Sequence, residues 1–221
     1  MEELTKDIIK DHKKAGMIAN TALKEGAKLI KVGASVKEVL DTIENRIRKQ
    51  NAGIAFPAQI SLNNVAAHFC PTSDDTTLFE EGDIAKLDVG VHINGRIADN
   101  ALSVNLGNHD ELSTASKEAL NEALKIVGPG TTLGEIGRTI QETITSFNLQ
   151  PIHNLSGHGL GHFQIHTKPS IPNFDTKDTT ELKQHDVIAI EPFATNGAGA
   201  IIEGSNPTIF THVANKPTRS L

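Results

Sequence analysis

Apolar residues recur at helical spacing in two pairs of segments. The first pair comprises residues 3–30 and a segment from Ser35 to about Asn51, and the second comprises residues 114–127 and a segment that starts at Thr132. Ser35 and Thr132 each precede an apolar run and are followed three residues later by glutamate, which predicts a helix N-cap with a capping box. The pattern therefore predicts two helical hairpins.

A β-hairpin is predicted after the first pair of helices. The runs Leu87–Ile93 and Arg96–Val104 flank Asn94-Gly95, which is the strongest short signal for a two-residue type I′ turn. Because side chains alternate between the faces of a strand, this register places Asp88 and Asp99 on one face as diagonal neighbours. A second apolar strand is predicted over 187–193, and it carries Glu191.

The two halves resemble each other. Helical apolar positions recur at an offset of 97 residues, and Asp83–Asp88 resembles Asp186–Glu191. A duplicated helix–helix–hairpin unit with a pseudo-twofold is the simpler interpretation, and coincidence between two ordinary helical hairpins is the alternative. We expect one compact domain, because each half has too little apolar surface to fold alone.

Composition excludes several classes of protein. The 221 residues carry a formal charge of −6 and no Trp or Tyr, which argues against a nucleic-acid-coating protein and against aromatic platforms for single strands. A single cysteine, Cys70, cannot form an internal disulfide. The charged first residues and the lack of a long apolar run predict neither a signal peptide nor a membrane span, so we expect a cytoplasmic protein.

The two aspartates of the hairpin indicate a metal site. Two like charges on a half-buried face are costly unless a cation lies between them, and two divalent cations fit such a pair. A solvated sheet face is the alternative for an isolated hairpin. Further ligand candidates favour the metal site: Glu191 lies at the repeat position of Asp88, and four histidines, His153, His158, His162 and His166, cluster within fourteen residues.

Taken together, these residues resemble methionine aminopeptidases of the second type, the archaeal and eukaryotic branch of the family. The resemblance covers nearly the whole chain. It is carried by Phe56-Pro57, Ser61-Leu62-Asn63-Asn64, Ala66-Ala67-His68, Asp88 and Asp99, Ser156-Gly157-His158, Ile165-His166 and Glu191-Pro192-Phe193-Ala194-Thr195.

The resemblance implies an α+β fold of the pita-bread type, in which helices flank a curved antiparallel sheet with a pseudo-twofold internal repeat. It implies two divalent metal ions (Co, Mn, Fe or Zn) bound by Asp88, Asp99, His158 and Glu191. Water held by both metals would be the nucleophile, and Glu191 would accept its proton. His68 and His166 would bind the scissile amide and stabilise the tetrahedral intermediate. Phe56, Pro57 and Ile165 would line the methionine pocket.

The implied function is removal of the initiator methionine from nascent proteins with a small second residue. The partners would be nascent polypeptide N-termini near the ribosome, with no nucleic acid or membrane bound, and we expect a monomer. Two alternatives remain: an X-Pro peptidase of the same fold, and a non-catalytic binding protein on the pita-bread scaffold.

The family pattern also includes a fifth ligand, a glutamate on a late strand that follows a helical insertion. We expect residues 1–221 to form a single catalytic domain that lacks this C-terminal part, with the insertion starting near residues 206–210. Glu203 is not the expected substitute, because similar family members also carry a non-ligand glutamate there. The chain as written is therefore predicted to be poorly active.

Overall fold

The structure is a computed structural model that describes residues 3–204, 207–212 and 214–215. Residue 206, where the helical insertion is expected to start, lies outside the described residues, as do the ends of the predicted domain. Four helices are present, in the two pairs that the apolar pattern predicts: α1 (Lys6–Leu29), α2 (Val36–Lys49), α3 (Asp110–Ile126) and α4 (Leu133–Thr145).

The helix starts follow the capping chemistry of the sequence. The Ser35 hydroxyl accepts a hydrogen bond from the Glu38 amide, and at Thr132 both halves of a capping box with Glu135 are formed. Helix α3 begins four residues before the predicted start, at Asp110, because acidic residues in its first turn complement the helix dipole.

The first half ends in a three-stranded antiparallel sheet of order β1-β2-β3, formed by β1 (Gly53–Leu62), β2 (Ile84–Ile93) and β3 (Arg96–Asn105). The predicted hairpin register is confirmed, since Ile93 pairs with Arg96 across the turn and Gly90 pairs with Asp99. The pattern did not predict β1. This strand contains Pro57, and its register with β2 shifts there, as expected for a residue that cannot donate to a ladder.

The second half carries shorter strands: β4 (Gln150–Pro151), β5 (Ser156–Gly161), β6 (Gln164–Pro172), β7 (Ile188–Ala189) and β8 (Ala194–Thr195). They form a sheet of order β6-β5-β7 and a separate β4-β8 pair. The prediction of a strand over 187–193 is wrong in length, because only the two residues of β7 pair regularly, with β5. Pro192 has no amide hydrogen, so a regular ladder cannot continue past Glu191.

Matching hydrogen bonds in the two halves support the internal repeat. In each half, the backbone before the second helix is hydrogen-bonded to the backbone before one strand, β2 in the first half and β7 in the second. An aspartate carboxylate then caps the turn into that strand. The matched bonds are Gly33 N to Phe79 O and Gly130 N to Leu182 O (both 2.8 Å), Val36 N to Thr77 O (3.0 Å) and Leu133 N to Thr180 O (2.9 Å), and Glu80 N to Asp83 Oδ2 (2.8 Å) and Lys183 N to Asp186 Oδ2 (2.7 Å).

Each half has its own apolar core. Helices α1 and α2 pack on one face of the first sheet, where alternate residues of β2 such as Leu87, Val89 and Val91 are fully buried. The other residues of β2, including Asp88, therefore point to the opposite face. Helices α3 and α4 enclose a second core. None of the described helices is long and apolar enough to cross a membrane.

Candidate metal centre

Four predicted ligands come from both halves of the chain. Asp88 lies on β2, Asp99 on β3 and His158 on β5, and Glu191 lies two residues beyond β7. Asp99, His158 and Glu191 each offer one ligand atom, and these three atoms lie within 4.8 Å of one another. Nε2 of His158 is 3.4 Å from Oδ2 of Asp99 and 3.1 Å from Oε1 of Glu191.

The hydrogen bonding of His158 favours a cation at this point. Its Nδ1 lies 3.1 Å from the carbonyl oxygen of Gly159 and can only donate there, so in the neutral ring Nε2 carries a lone pair. That lone pair faces the two carboxylates. Burial lowers the pKa of His158, but the close carboxylates of Asp99 and Glu191 outweigh burial and raise it to about 10.

Asp88 extends the acidic cluster. Burial, and then the charges of Asp99 and Glu191, raise the pKa of Asp88 well above the ordinary range. Its Oδ1 is buried and has no hydrogen-bond partner, and the same is true of Oε1 of Glu191, whose approach to His158 does not meet hydrogen-bond geometry. Such unpartnered acceptors are rare in native interiors. A divalent cation would satisfy both oxygens and offset the like charges, so these residues fit a metal ion.

Of the two predicted substrate histidines, His166 contacts this cluster, and His68 is close enough to act on the charge of His166. The ring of His166, on β6, makes an edge contact with the ring of His158 at a centroid distance of 4.3 Å. Burial first, and then the charges of His158 and His68, lower the pKa of His166, while Glu191 and Asp99 oppose this change. His68 is exposed and has a left-handed backbone, with φ of 65°, which is a strained conformation for histidine.

The predicted pocket residues are only partly enclosed. Phe56 and Ile165 are half-buried, whereas Pro57 is exposed. The Phe56 ring covers Gly90, where an added Cβ would lie 2.4 Å from two ring carbons. Because Gly90 pairs with Asp99, the ring lies on the same face of the sheet as the acidic cluster.

The other two clustered histidines lie elsewhere. His162 Nε2 is 2.9 Å from the carbonyl oxygen of Asn94, and His153 packs against the Phe174 ring at 4.6 Å. The sequence interpretation also missed two polar residues on the acidic face. Gln59 pairs with Asp88 and its buried Oε1 has no partner, and the half-buried Lys86 bonds to Asn63. Recognition of β1 as a strand would have placed Gln59 opposite Asp88.

Comparisons with known proteins agree with this geometry. The model of metallopeptidase family M24 matches residues 10–209. The methionine aminopeptidase of Archaeoglobus fulgidus is 45% identical over 205 residues, which are 93% of this chain and 70% of that protein. The crystal structure of methionine aminopeptidase from Thermotoga maritima superposes with a TM-score of 0.87 at 29% identity, covering 95% of this chain and 88% of that one.

A more distant comparison concerns the fold alone. The X-Pro aminopeptidase of Thermotoga maritima superposes with a TM-score of 0.70 at 24% identity, covering 87% of this chain and 55% of that one. The expected pita-bread fold of helices and antiparallel sheets is therefore confirmed. The match over nearly the whole sequence and the identity to curated relatives lead to one conclusion: this chain belongs to metallopeptidase family M24, among the methionine aminopeptidases.

Proposed function

We propose that this chain removes N-terminal methionine from nascent polypeptides with a small second residue, as an enzyme of the second type, and that it does so at the cluster of Asp88, Asp99, His158 and Glu191. The observation that carries the proposal is the convergence of Asp99, His158 and Glu191 within 4.8 Å in a chain that is 45% identical to a methionine aminopeptidase. We further propose a cytoplasmic monomer that works near the ribosome.

The four clustered residues would hold two divalent ions, Co, Mn, Fe or Zn, because carboxylate and imidazole ligands suit these metals. When bound, the ions would supply Lewis-acid chemistry that polarises the scissile carbonyl and makes water acidic near neutral pH. The resemblance also implies a fifth ligand, a glutamate on a further strand, and this stays a prediction.

Side chains of the protein would carry out the proton transfer and stabilise the developing charge. Glu191 lies in the cluster with Oε1 buried and without a hydrogen-bond partner, and we assign its carboxylate the proton that the attacking water gives up. The imidazoles of His166 and His68 would donate hydrogen bonds to the scissile carbonyl oxygen as negative charge develops on it. Both residues are exposed, so their rings are accessible to a peptide substrate.

The methionine side chain would pack against Phe56, Pro57 and Ile165. Phe56 is the best placed of the three, because its ring covers Gly90 beside the acidic cluster. Ile165 directly precedes His166 on β6, so one residue of the apolar wall and one of the two carbonyl donors would share one strand. This arrangement would couple recognition of methionine to the position of the scissile bond.

The test is metal-dependent release of methionine by the purified chain. The chain is stripped with a chelator, reloaded with Mn²⁺ or Co²⁺, and mixed with Met-Ala-Ser at near-equal concentration, so that slow turnover is measurable. We expect methionine release only after reloading, and none from an X-Pro peptide of the same length.

Two outcomes would contradict the proposal. Cleavage of the X-Pro peptide in preference to Met-Ala-Ser would support the X-Pro peptidase alternative. Stoichiometric metal binding without release of methionine from any peptide would support a non-catalytic binding protein. The Asp99→Ala variant is the control for adventitious peptidase, because it removes a proposed ligand and leaves the pocket residues in place.

A further inference from the structure

The segment that carries His68 is tied to the acidic strand through one residue, Asn63. Its amide donates to the Ile84 carbonyl at 2.9 Å, its side chain donates to Asp83 at 2.8 Å and accepts from the Ile84 amide at 3.0 Å. Asn63 has a left-handed backbone with φ of 52°, a conformation that asparagine tolerates better than most residues.

Lys86 completes this anchor from the acidic face. Its Nζ donates to the backbone carbonyl of Asn63 at 2.9 Å. Lys86 precedes Asp88 by two residues on β2, so both side chains lie on the same face of the sheet. One strand therefore carries both a proposed metal ligand and the group that binds the start of the His68 segment.

The other end of the segment is attached to β1. The Phe69 amide donates to the Ser61 hydroxyl at 3.3 Å, and the Phe69 carbonyl accepts from the Ile60 amide at 3.2 Å. Ser61 is in turn the register partner of Lys86. His68 thus lies between two fixed points, which hold its left-handed backbone in place.

The second half shows that the fold itself does not require this lysine. At the offset that relates Asp83 to Asp186 and Asp88 to Glu191, the position of Lys86 is taken by Ala189, which is buried on β7. The capping bond of the aspartate is present in both halves. The lysine is therefore an addition to the repeated frame, on the half that carries His68.

We propose that Lys86 is a positioning residue that holds the Asn63–His68 segment against the strand of Asp88, and so sets the distance between His68 and the metal cluster. This inference rests on the proposed function only for the role of His68. The attachment itself is a property of the folded chain and can be tested without turnover.

The test compares Lys86→Met, which keeps the length of the side chain but removes the donor, with Lys86→Arg, which keeps a donor. Lys125→Met is the matched control, because Lys125 forms an exposed ion pair with Glu122 on α3. Histidine labelled with ¹³C at Cε1 reports on each ring by NMR, and the His68 signal is assigned with the His68→Gln variant.

We expect Lys86→Met to shift or broaden the His68 signal, while the His162 signal stays unchanged. The dissociation constant for Mn²⁺ should stay within about threefold of wild type, and kcat for Met-Ala-Ser should fall about tenfold with less change in KM, because His68 is misplaced and the ligands are not. Lys86→Arg should keep both the His68 signal and kcat close to those of wild type. Lys86→Ala, the residue found at the matching position of the second half, is the second variant if Lys86→Met does not fold.

An unchanged His68 signal in Lys86→Met would overturn the inference, whatever the activity. A loss of Mn²⁺ affinity in proportion to kcat would also overturn it, because Lys86 would then act through Asp88. If the wild-type chain released no methionine while the His68 signal still responded to Lys86→Met, the proposed function would fail and the attachment would stand.

Discussion

In the first half, β2 and β3 form a hairpin of two ten-residue strands that carries Asp88 and Asp99. In the second half, the strand at the position of β2 is the two-residue β7, and Glu191 lies beyond its end. The same backbone bonds frame both halves, so the difference does not lie in the frame. It lies in what each half adds: a long hairpin in one, and the β5–β6 hairpin with His158 and His166 in the other.

This difference shows how a repeated frame can carry an asymmetric site. Ala189 stands at the position of Lys86, and His185, with φ of 77°, stands at the position of Gly82, with φ of 96°. The left-handed turn is thus kept in both halves even where glycine is replaced. The backbone geometry has been retained, while the side chains around the metal cluster differ.

The largest effect is expected when either half loses one of its two proposed ligands. In Asp88→Asn, metal affinity and methionine release should both fall, release by about 10³-fold, because a metal ion supplies several kcal/mol of charge stabilisation in the transition state. Glu191→Gln should be equally severe if both halves are needed. Metal content and the rate of release from Met-Ala-Ser measure this effect.

The melting temperature of Asp88→Asn provides an independent test of the role of Asp88 in metal binding. Asp88→Asn removes one of several neighbouring negative charges, so the metal-free variant should melt at a higher temperature than metal-free wild type. Addition of Mn²⁺ should then raise the melting temperature of wild type but not of the variant. A variant that keeps full metal content would show that Asp99, His158 and Glu191 hold the metal without Asp88.

A smaller effect is expected from the substrate side of the second half. His166→Ala should lower kcat by about 10²-fold, as expected for the loss of one carbonyl donor, and should leave metal content unchanged. His162→Ala is the matched control, because His162 bonds to the Asn94 carbonyl at the hairpin tips. Its activity should stay within about twofold of wild type. Equal loss in both variants would indicate a structural cause.

The pocket of the first half can be probed at Gly90. An added Cβ would lie 2.4 Å from the Phe56 ring, so Gly90→Ala should displace the ring and raise KM for Met-Ala-Ser about tenfold, the usual scale for a misfitted apolar pocket. Gly128→Ala is the control, because nothing lies within 4 Å of its added Cβ. An unchanged KM in Gly90→Ala would contradict the assignment of Phe56 to the methionine pocket.

The smallest expected effect is the loss in free energy of unfolding when either helix cap is removed, and it should differ between the two caps. Ser35→Ala should lower the free energy of unfolding by about 1 kcal/mol, and Thr132→Ala by more, because it also disrupts the box with Glu135. The Thr132 amide, and then its hydroxyl, lower the pKa of Glu135. This contribution is therefore complete above the ordinary glutamate pKa of about 4.3 and is lost as pH falls through the lowered value.

Urea unfolding between pH 3 and pH 7 measures this difference. Wild type and Ser35→Ala should lose the Glu135 contribution together on acidification, whereas Thr132→Ala should show a smaller loss, because it keeps the backbone amide bond to Glu135 and lacks only the hydroxyl bond. Parallel pH curves for all three proteins would mean that Glu135 contributes nothing to the cap.

Local chemistry explains which elements could be predicted from the sequence. Asn94-Gly95 and the caps at Ser35 and Thr132 depend on a few adjacent residues. The hairpin register, both N-caps and the capping box at Thr132 are confirmed, whereas at Ser35 the structure shows only the hydroxyl half of the predicted box. Strand β1 was missed because Pro57 interrupts its pattern. Strand β5 was missed because its glycines, in Ser156–Gly161, have low intrinsic strand preference and are required by close packing: a Cβ at Gly157 would lie 2.2 Å from the Ala189 carbonyl.

Only part of the site could be predicted from the sequence, for a related reason. Asp88 and Asp99 are joined by a turn whose register can be read locally, whereas Gln59 and Lys86 acquire their neighbours from pairing with β1 and from the Asn63 segment. The predicted ligand roles rested on the family resemblance. Their spatial convergence depends on contacts between residues that are far apart in the sequence, which no local pattern encodes.

The contact between the two hairpin tips has a consequence for the order of folding. The Phe163 amide donates to the Gly95 carbonyl at 2.9 Å, joining residues from different halves. During synthesis, at about 5–20 residues per second, the residues of the first half are made before the second half exists. Asp88 and Asp99 would then remain an open acidic surface for several seconds, until His158 and Glu191 have been synthesised. Metal capture should therefore be a late event that reports the docking of the two halves.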